Sequence, residues 1–361
     1  MKLLRTLILG AVALAVAGLV AGFFFQRQIG EAMFNRGVSA IAGVDRTAAL
    51  PDGLHIFVCG SGSPMPDTNR AGPCLGVIAG ERAFVVDVGS GGARRLARMG
   101  FPVGRLERVY LTHLHSDHFD GLGELLLQAW VGGSRTTPLP VAGPVGVEEL
   151  VAGLNTAYRV DAGFRTAHHG EEIADPAGFG GRAEPIAAPE PTAPAQIFLN
   201  EGDLKITVIR VDHAPVAPSF GFRIDYKDRS VVISGDTKES AALVGASKDA
   251  DILFHEALNI EMVQALEAAN QARGLKHIAQ IMTDIQDYHA TPEQAARTAS
   301  AANAGHLVLY HIVPPLPSPY FNAAYLGDAP KRFNGRLTVA QDGLLISAPA
   351  NAKTVQYKMI R

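Results

Sequence analysis

Hydrophobic and polar positions alternate along the chain after residue 50, and the pattern predicts short strands interspersed with helices. The predicted strands lie near 54–59, 75–79, 83–88 and 107–112, where Val, Ile, Leu and Phe recur at strand spacing. The predicted helices lie near 91–99, 121–130 and 147–158, where apolar residues recur at helical spacing. Strands interspersed with helices are typical of an α/β protein.

The periodicity breaks over residues 160–200. This stretch is rich in Gly, Pro and Ala and contains Pro185, Pro189, Pro191 and Pro194. Proline and glycine interrupt both helices and strands, so we interpret the stretch as an insertion in the globular domain and as a candidate substrate lid. His168-His169 within it are interpreted as a solvated pair, because nothing nearby completes a metal coordination set.

An uncharged apolar stretch, 6–26, precedes the globular part of the chain and follows the basic residues Lys2 and Arg5. As a helix its 21 residues would extend about 31 Å at ~1.5 Å each, enough to cross a bilayer core of about 30 Å. We therefore predict a membrane anchor or a secretory signal peptide over residues 1–30 and a helical connector over 31–50. The globular domain follows over 51–361.

The two interpretations of this stretch place the protein differently. Ala15-Val16-Ala17 fits a signal cleavage site, whereas the apolar run continues through Phe23-Phe24-Phe25 and favours an uncleaved anchor. Basic residues before the segment favour a cytoplasmic N-terminus. Both interpretations predict export: inner-membrane anchoring facing the periplasm, or a periplasmic or secreted protein after cleavage.

Composition fits a large globular enzyme. The chain has 361 residues, 47% of them hydrophobic, with 38 Gly and a formal net charge of −3. Such a chain can bury a large core. Because no basic run stands out, nucleic acid is predicted to be an unlikely partner.

The strand 107–112 leads directly into His113-Leu114-His115-Ser116-Asp117-His118. Neutral imidazole and carboxylate are ligands for Zn²⁺ and related ions, and groups so close together need a cation to organise them. His113 and His115 alternate and can share one metal, whereas Asp117 and His118 lie past the turn and point to a second. The sequence therefore predicts two metals.

Further candidate ligands stand at the ends of later β-rich runs. They are His213 after 206–209, Asp236 after 231–233 and His311 after 307–309. Strand ends converge at one rim of a sheet structure.

The order of these motifs resembles the metallo-β-lactamase fold superfamily of metallohydrolases, in particular its ribonuclease Z and arylsulfatase-like branch. The resemblance runs from about residue 54 to about 345. It rests on Cys59-Gly60-Ser61-Gly62-Ser63-Pro64 with Arg70, Val85-Val86-Asp87-Val88-Gly89, His113 to His118, Gly143-Pro144-Val145-Gly146, the His213 segment ending in Phe220-Gly221-Phe222, Ser234-Gly235-Asp236-Thr237, His255-Glu256-Ala257, His289 and His311. It implies an αββα sandwich of two mixed β-sheets flanked by helices.

The resemblance also implies a ligand set. His113, His115 and His213 would bind one zinc, Asp117, His118 and His311 the other, and Asp236 would bridge both. The cofactor is thus predicted to be two Zn²⁺, with Mn²⁺ or Fe as alternatives, since the same ligands accept several metals. A metal-bridging hydroxide would attack the substrate.

Asp117, His289 and Glu256 are the candidate catalytic residues. His289 precedes Thr291-Pro292-Glu293, which reads as a helix start with Thr291 as cap, so it lies on a loop and is the candidate proton donor to the leaving group. The alternative is a capping or surface histidine. Glu256 would orient His289. Asp87 and His255 are assigned supporting roles behind the ligands.

Cys59 and Cys74 could face each other across the first predicted hairpin. Burial as unpaired small residues is favoured over a disulfide, since cysteine is commonly buried without a bond.

These observations predict a dinuclear-zinc hydrolase of a phosphodiester or sulfate ester. The alternatives are an arylsulfatase or another ester or lactone hydrolase, and, in a different class, a non-catalytic metal-binding protein. The expected partners are a small-molecule ester substrate and the membrane, through the N-terminal helix. A homodimer is left open.

Overall fold

The computed structural model describes residues 2–41 and 45–360. These residues fall into two compact units, divided between Arg46 and Thr47. Residues 42–44, part of the predicted connector, lie outside the described residues, as do the two terminal positions of the chain.

The N-terminal unit consists of helices α1 (Lys2–Phe24) and α2 (Gln26–Ile41). Within α1, Leu4–Phe24 is long and apolar enough to cross a membrane, and large side chains such as Leu9 and Leu14 are exposed. A signal sequence near an N-terminus has the same properties. The helix leaves the choice between anchor and signal peptide open.

The second unit contains two β-sheets. The first has eight strands in the order β15-β14-β1-β2-β3-β4-β5-β6. Its strands are β1 (Gly53–Gly60), β2 (Cys74–Ala79), β3 (Arg82–Val88), β4 (Leu106–Tyr110), β5 (Leu139–Gly143), β6 (Gly181–Pro185), β14 (Leu344–Pro349) and β15 (Gln356–Met359). The sheet is mixed, because β1 pairs antiparallel with β2 and β14 whereas β3 to β6 pair in parallel.

The second sheet has seven strands in the order β13-β12-β11-β10-β9-β8-β7. Its strands are β7 (Ala195–Glu201), β8 (Leu204–His213), β9 (Val216–Tyr226), β10 (Arg229–Ile233), β11 (Ile252–Leu258), β12 (His306–Val313) and β13 (Arg336–Val339). Here β10 to β13 pair in parallel and β7 to β10 antiparallel.

Helices pack on the outer faces of both sheets or at the ends of their strands. They are α3 (Gly92–Arg98), α4 (Leu122–Gly133), α5 (Val147–His169), α6 (Ala241–Ala246), α7 (Ile260–Ala272), α8 (Lys276–Asp284), α9 (Pro292–Ala301) and α10 (Asn322–Leu326). Thr291 caps α9 in a capping box with Gln294, as the Thr-Pro signal predicts.

Alternation along the strands places apolar side chains on both faces of each sheet. The core between the sheets contains Ile56, Val58, Phe84, Tyr110, Val208, Phe222, Val231 and Phe254. Outside the first sheet, Val85 packs with Leu96 of α3 and Leu125 of α4. Outside the second, Val232 packs with Leu243 of α6 and Ala295 of α9. The architecture is the predicted αββα sandwich.

Residues 160–200 differ from the predicted irregular insertion. Helix α5 continues to His169, β6 forms an edge of the first sheet, and β7 forms an edge of the second. The segment therefore crosses from one sheet to the other. The prolines obscured the strands in the sequence. Pro185 ends the edge strand β6, and Pro189, Pro191 and Pro194 lie in the connection from β6 to β7, where proline is tolerated.

Cys59 and Cys74 form a disulfide, contrary to the unpaired state favoured from the sequence. Cys59 is the penultimate residue of β1 and Cys74 begins β2, and a register shift between Val58 and Gly60 brings their side chains together. The bond closes the loop between the two strands, which begins with Gly60-Ser61-Gly62-Ser63-Pro64, here called the glycine-rich turn, so it constrains that loop covalently.

We predict that the double substitution Cys59→Ala/Cys74→Ala lowers the free energy of unfolding by about 3 kcal/mol, the entropy effect expected for a loop of about 15 residues. Urea denaturation of the full chain in detergent measures it. Reductant should reproduce the loss in the wild type and leave the double variant unchanged. A variant as stable as the oxidised wild type would contradict the prediction.

Candidate metal centre and active site

The candidate site residues lie on loops and strand ends at one rim of the sandwich. The loop after β4 carries His113 to His118, β8 ends at His213, and Asp236 follows β10. His311 lies in β12, and His289 lies on the loop before α9. These elements are distant in sequence, yet their side chains converge.

The first group comprises His113, His115, His213 and Asp236, whose ligand atoms all lie within 4.8 Å of one another. His113 Nε2 lies 3.0 Å from His115 Nδ1, and His213 Nε2 lies 3.5 Å from the same nitrogen. His213 Nδ1 donates to the Tyr288 carbonyl over 3.0 Å, which leaves its Nε2 with a free lone pair. Converging lone pairs of this kind suit a shared cation.

The second group comprises Asp117, His118 and His311. Asp117 Oδ2 lies 3.5 Å from His118 Nε2 and 3.3 Å from His311 Nε2. Asp236 Oδ2 lies 3.4 Å from His118 Nε2 and 3.2 Å from His311 Nε2. Asp236 therefore contacts both groups and stands where a bridging ligand would.

The donor set fits metal ions. His118 Nε2 and Asp236 Oδ1 are buried and have no hydrogen-bond partner among the described residues. Buried polar atoms without a partner are rare, and here each is a ligand-type atom that faces others of its kind. Imidazole and carboxylate donors together favour zinc and related transition metals.

The electrostatics of the two groups favour bound positive charge. Burial works to raise the pKa of Asp236, but His311 and His118 hold it well below the ordinary value, so the carboxylate stays ionised. Burial holds the pKa of His113 well below its ordinary value, which keeps that ring neutral, as a metal ligand must be.

Asp87 hydrogen-bonds to the segment that carries His113 to His118, here called the ligand loop. Its carboxylate accepts from His118 Nδ1 over 2.9 Å, and from the Thr112 backbone N–H and hydroxyl over 2.9 Å each. The hydrogen bond to Nδ1 fixes the His118 tautomer, so that Nε2 points to Asp117 and Asp236. This geometry agrees with the supporting role expected for Asp87.

Asp87 and His311 both have left-handed backbone conformations, with φ of 53° and 48°. Each sits at a register shift: β2 pairs with Val86 and Val88 but skips Asp87, and β11 pairs with Tyr310 and Ile312 but skips His311. Such bulges turn a side chain away from the normal alternation of a strand. Positive φ is unfavourable for these residue types, so the surrounding structure must hold it.

Glu256 connects two loops of the site. One oxygen, Oε1, accepts from His289 Nδ1 over 3.2 Å, from Ala290 N over 2.9 Å and from Thr237 N over 3.2 Å. Burial works to lower the pKa of His289, but Glu256 and then Asp236 raise it above the ordinary value. His289 thus retains a proton more readily than an isolated histidine, and its side chain is only 7% exposed.

Close backbone packing supports the ligand loop, and sequence reasoning did not identify it. A Cβ on Gly89 would lie 2.1 Å from the Asp117 carbonyl oxygen, so only glycine permits this approach.

Asp342 is a second supporting residue that the sequence analysis did not identify. It accepts from the Ser61 backbone N–H and hydroxyl and from Ala71 N, and so secures the glycine-rich turn.

A cavity of about 440 Å³ opens beside the two groups. Its lining combines candidate ligands with apolar side chains of the glycine-rich turn and of the segment from α8 to His289: Ser63, Pro64, Met65, Pro66, His115, Ser116, Asp117, Asp236, Ile281, Met282, Ile285, Tyr288, His289, His311 and Val313. No residue of the expected lid, 160–200, lines it. Amphipathic periodicity could have identified α8 as a helix, but not the surface that it faces.

The sequence analysis also made predictions for the pair His168-His169 and for His255, which are not among the candidate metal ligands. His168 and His169 are exposed at the end of α5, in agreement with a solvated pair. His255 is buried, and its Nδ1 donates to the Glu256 carbonyl over 2.7 Å. It therefore supports the strand that carries Glu256.

The sequence is similar to a described protein family and to several ribonuclease Z proteins. The sequence profile of the family described as anti-Pycsar protein Apyc1 matches residues 54–300, more than half of the chain. A ribonuclease Z of Mycobacterium avium is 38% identical over 291 residues, covering 80% of this chain and 96% of that protein. A ribonuclease Z of Mycobacterium bovis is 37% identical over 292 residues, with the same coverage.

Solved structures share the fold. The metallo-β-lactamase fold protein YhfI from Bacillus subtilis aligns with a TM-score of 0.57 at 22% identity, covering 82% of this chain and 100% of that one. Human tRNase Z, short form, aligns with a TM-score of 0.55 at 22% identity, covering 82% and 99%.

The names of these relatives bear on the expected partners. Ribonuclease Z is by its name an enzyme that acts on RNA, so the relatives do not support the expectation of a small-molecule ester or the expectation that nucleic acid is an unlikely partner. The absence of a basic run was a weak argument, because an active site needs no basic run to bind the one phosphate at which it cleaves.

We predict that Asp236→Ala loses most of its bound metal, and that Asp87→Asn lowers metal affinity about 10–100-fold, the usual effect of removing a group that orients a ligand. Metal content after dialysis, measured by mass spectrometry, checks both. Asp120→Asn, an exposed carboxylate on the same loop, is the matched control and should bind metal normally. Full metal retention by Asp236→Ala would exclude the bridging position.

Proposed function

Since the chain belongs to the ribonuclease Z branch of the metallo-β-lactamase fold metallohydrolases and, over residues 54–300, to the family described as anti-Pycsar protein Apyc1, we propose that it hydrolyses a phosphodiester with two zinc ions. The chain is a metal-dependent hydrolase of ester bonds. The observation that carries the proposal is the position of Asp236 Oδ2 between two groups of ligand-type side chains.

The proposed ligands follow the two groups. His113, His115 and His213 would hold one ion, Asp117, His118 and His311 the other, and Asp236 both. Two ions so held would lower the pKa of a bound water and neutralise charge on a phosphoryl group. Manganese or iron would suit the same residues. Support comes from the orphaned ligand atoms and from the cavity beside them.

His289 is proposed as the proton donor to the leaving group. It lines the cavity, its Nδ1 faces Glu256, and its raised pKa favours the protonated ring. Glu256 accepts from Nδ1–H, so in the protonated ring Nε2–H is the group left to transfer a proton to the leaving group. Asp117, beside the same cavity, contributes as a ligand.

Export is proposed from two independent features. The Leu4–Phe24 helix can cross a membrane or act as a signal, and the Cys59–Cys74 disulfide is typical of proteins in oxidising compartments. The relatives give no support for export, so the proposal rests on these two features.

We predict that His289→Ala keeps its metal but loses about 10²–10⁴ in rate on phosphodiesters with poor leaving groups. The loss should shrink for a nitrophenyl leaving group, which needs little protonation, and grow for an alkyl one. A series of phosphodiesters with graded leaving-group pKa, assayed on zinc-loaded protein, measures it. An aryl sulfate, a lactone and an RNA oligonucleotide belong in the same series.

Two outcomes would contradict these assignments. Equal losses across all leaving groups, with metal content intact, would remove His289 from the acid role. Turnover of the sulfate or the lactone, with no phosphodiester cleaved, would overturn the proposed reaction.

We predict that the full chain, expressed in a bacterial host, fractionates with membranes and has its cysteines oxidised. Deletion of residues 1–30 should release it into the soluble fraction. Maleimide labelling before and after reduction shows whether the two cysteines are free thiols or form a disulfide. Cysteines that are free in intact cells would contradict export, and a mature N-terminus near Gly18 would show a cleaved signal.

A further inference from the structure

One side of the cavity has a composition that the metal chemistry does not require. Beside the candidate ligands, the cavity is lined by Met65, Ile281, Met282, Ile285, Tyr288 and Val313, which we call the apolar shelf. Phosphoryl groups and metal ions interact with polar and charged groups, so apolar side chains here must contact another part of a substrate.

The base of the shelf is preformed. Met282 and Val313 are buried with Leu258 and Val263 in a small cluster, and Met65 and Ile285 pack against it. Close-packed side chains keep fixed positions, so the shelf presents a defined surface rather than an adaptable one.

The outer part of the shelf is open to solvent. Ile281, on α8, is 51% exposed although it lines the cavity. Ile281 and Ile285, four residues apart, both line the cavity, so this segment presents apolar side chains to it. A large apolar side chain at a cavity mouth gains stability when a ligand covers it.

Tyr288 connects the shelf to the metal groups. Its ring centroid lies 4.9 Å from that of His213 and 4.7 Å from that of His289, and its carbonyl accepts the hydrogen bond from His213 Nδ1. The aromatic ring is therefore held directly beside the place where a scissile phosphate would bind. An aromatic face in this position suits a planar group.

Basic side chains do not account for how this part of the cavity would recognise a substrate. Among the residues that the structure describes, no Lys or Arg lines the cavity. The group that lies on the shelf must be recognised by burial of apolar surface and by ring contacts.

We propose that the apolar shelf is a specificity site that binds a planar, apolar group attached to the scissile phosphate, with Ile281 and Tyr288 as its determinants. This inference rests on the proposed phosphodiester hydrolysis. A nucleobase, linked to the phosphate through its ribose in an RNA strand or in a compact phosphodiester, and a directly esterified aryl group share a planar, largely apolar face that such a shelf would bind.

Binding of product-like monoesters tests the shelf without turnover. On the zinc-loaded full chain in detergent, calorimetry should show phenyl phosphate binding at least about tenfold more tightly than methyl phosphate, the effect of burying part of a ring. Ile281→Ser should remove most of this preference while methyl phosphate affinity stays unchanged. Ile281→Leu should retain it.

Leu266→Ser is the matched control. Leu266 is 39% exposed on the neighbouring helix α7 and does not line the cavity, so this variant should bind both monoesters as the wild type does. Equal affinities for the two monoesters in the wild type, or the same loss in Leu266→Ser, would overturn the shelf. If neither monoester binds the zinc-loaded chain, the proposed phosphodiesterase site itself fails.

Turnover separates the two sources of the planar group. Cleavage of a ten-residue RNA that falls in Ile281→Ser in parallel with a dinucleotide would identify a nucleobase of a strand. Cleavage of the dinucleotide or an aryl phosphodiester alone, again sensitive to Ile281→Ser, would identify a compact ester. Insensitivity of every cleaved substrate to Ile281→Ser would overturn the proposal.

Discussion

Burial of ligand-type charge at one rim of the sandwich is the constraint on which the site depends. Asp236 is 2% exposed, and His113 and His118 are fully buried beside it. Removing such groups from water is costly unless opposite charge and hydrogen bonds compensate. The converging imidazoles compensate part of this cost, and the unpartnered atoms His118 Nε2 and Asp236 Oδ1 indicate where cations would compensate the rest.

Backbone irregularities convert an ordinary sandwich into this site. The bulges at Asp87 and His311 depart from the two-residue alternation of their strands and place polar side chains where apolar ones would otherwise point. Their positive φ angles persist because the hydrogen bonds around Thr112 and the packing of both sheets hold them. The conformational cost is thus borne by the whole fold.

Local sequence signals were sufficient for part of this structure. His113 to His118 are close in sequence, so their chemistry was visible without a fold, and the strand ends at His213 and Asp236 followed from apolar runs. The bulges were not predictable, since neither aspartate nor histidine encodes positive φ.

The surface that the amphipathic helix α8 faces was not predictable either, because tertiary packing sets it. The disulfide depends on a register shift, and residues 160–200 combine edge strands with prolines that obscure them.

Glu256 has a mechanical consequence for the site. A single buried oxygen restrains the loop that follows Asp236, through Thr237, and the loop that carries His289, through Ala290 and the ring itself. Displacement of either loop would pull on the other through this shared anchor. The loop that follows Asp236 and the loop that carries His289 are therefore coupled through one buried carboxylate, and a change in the position of one loop would be felt in the other.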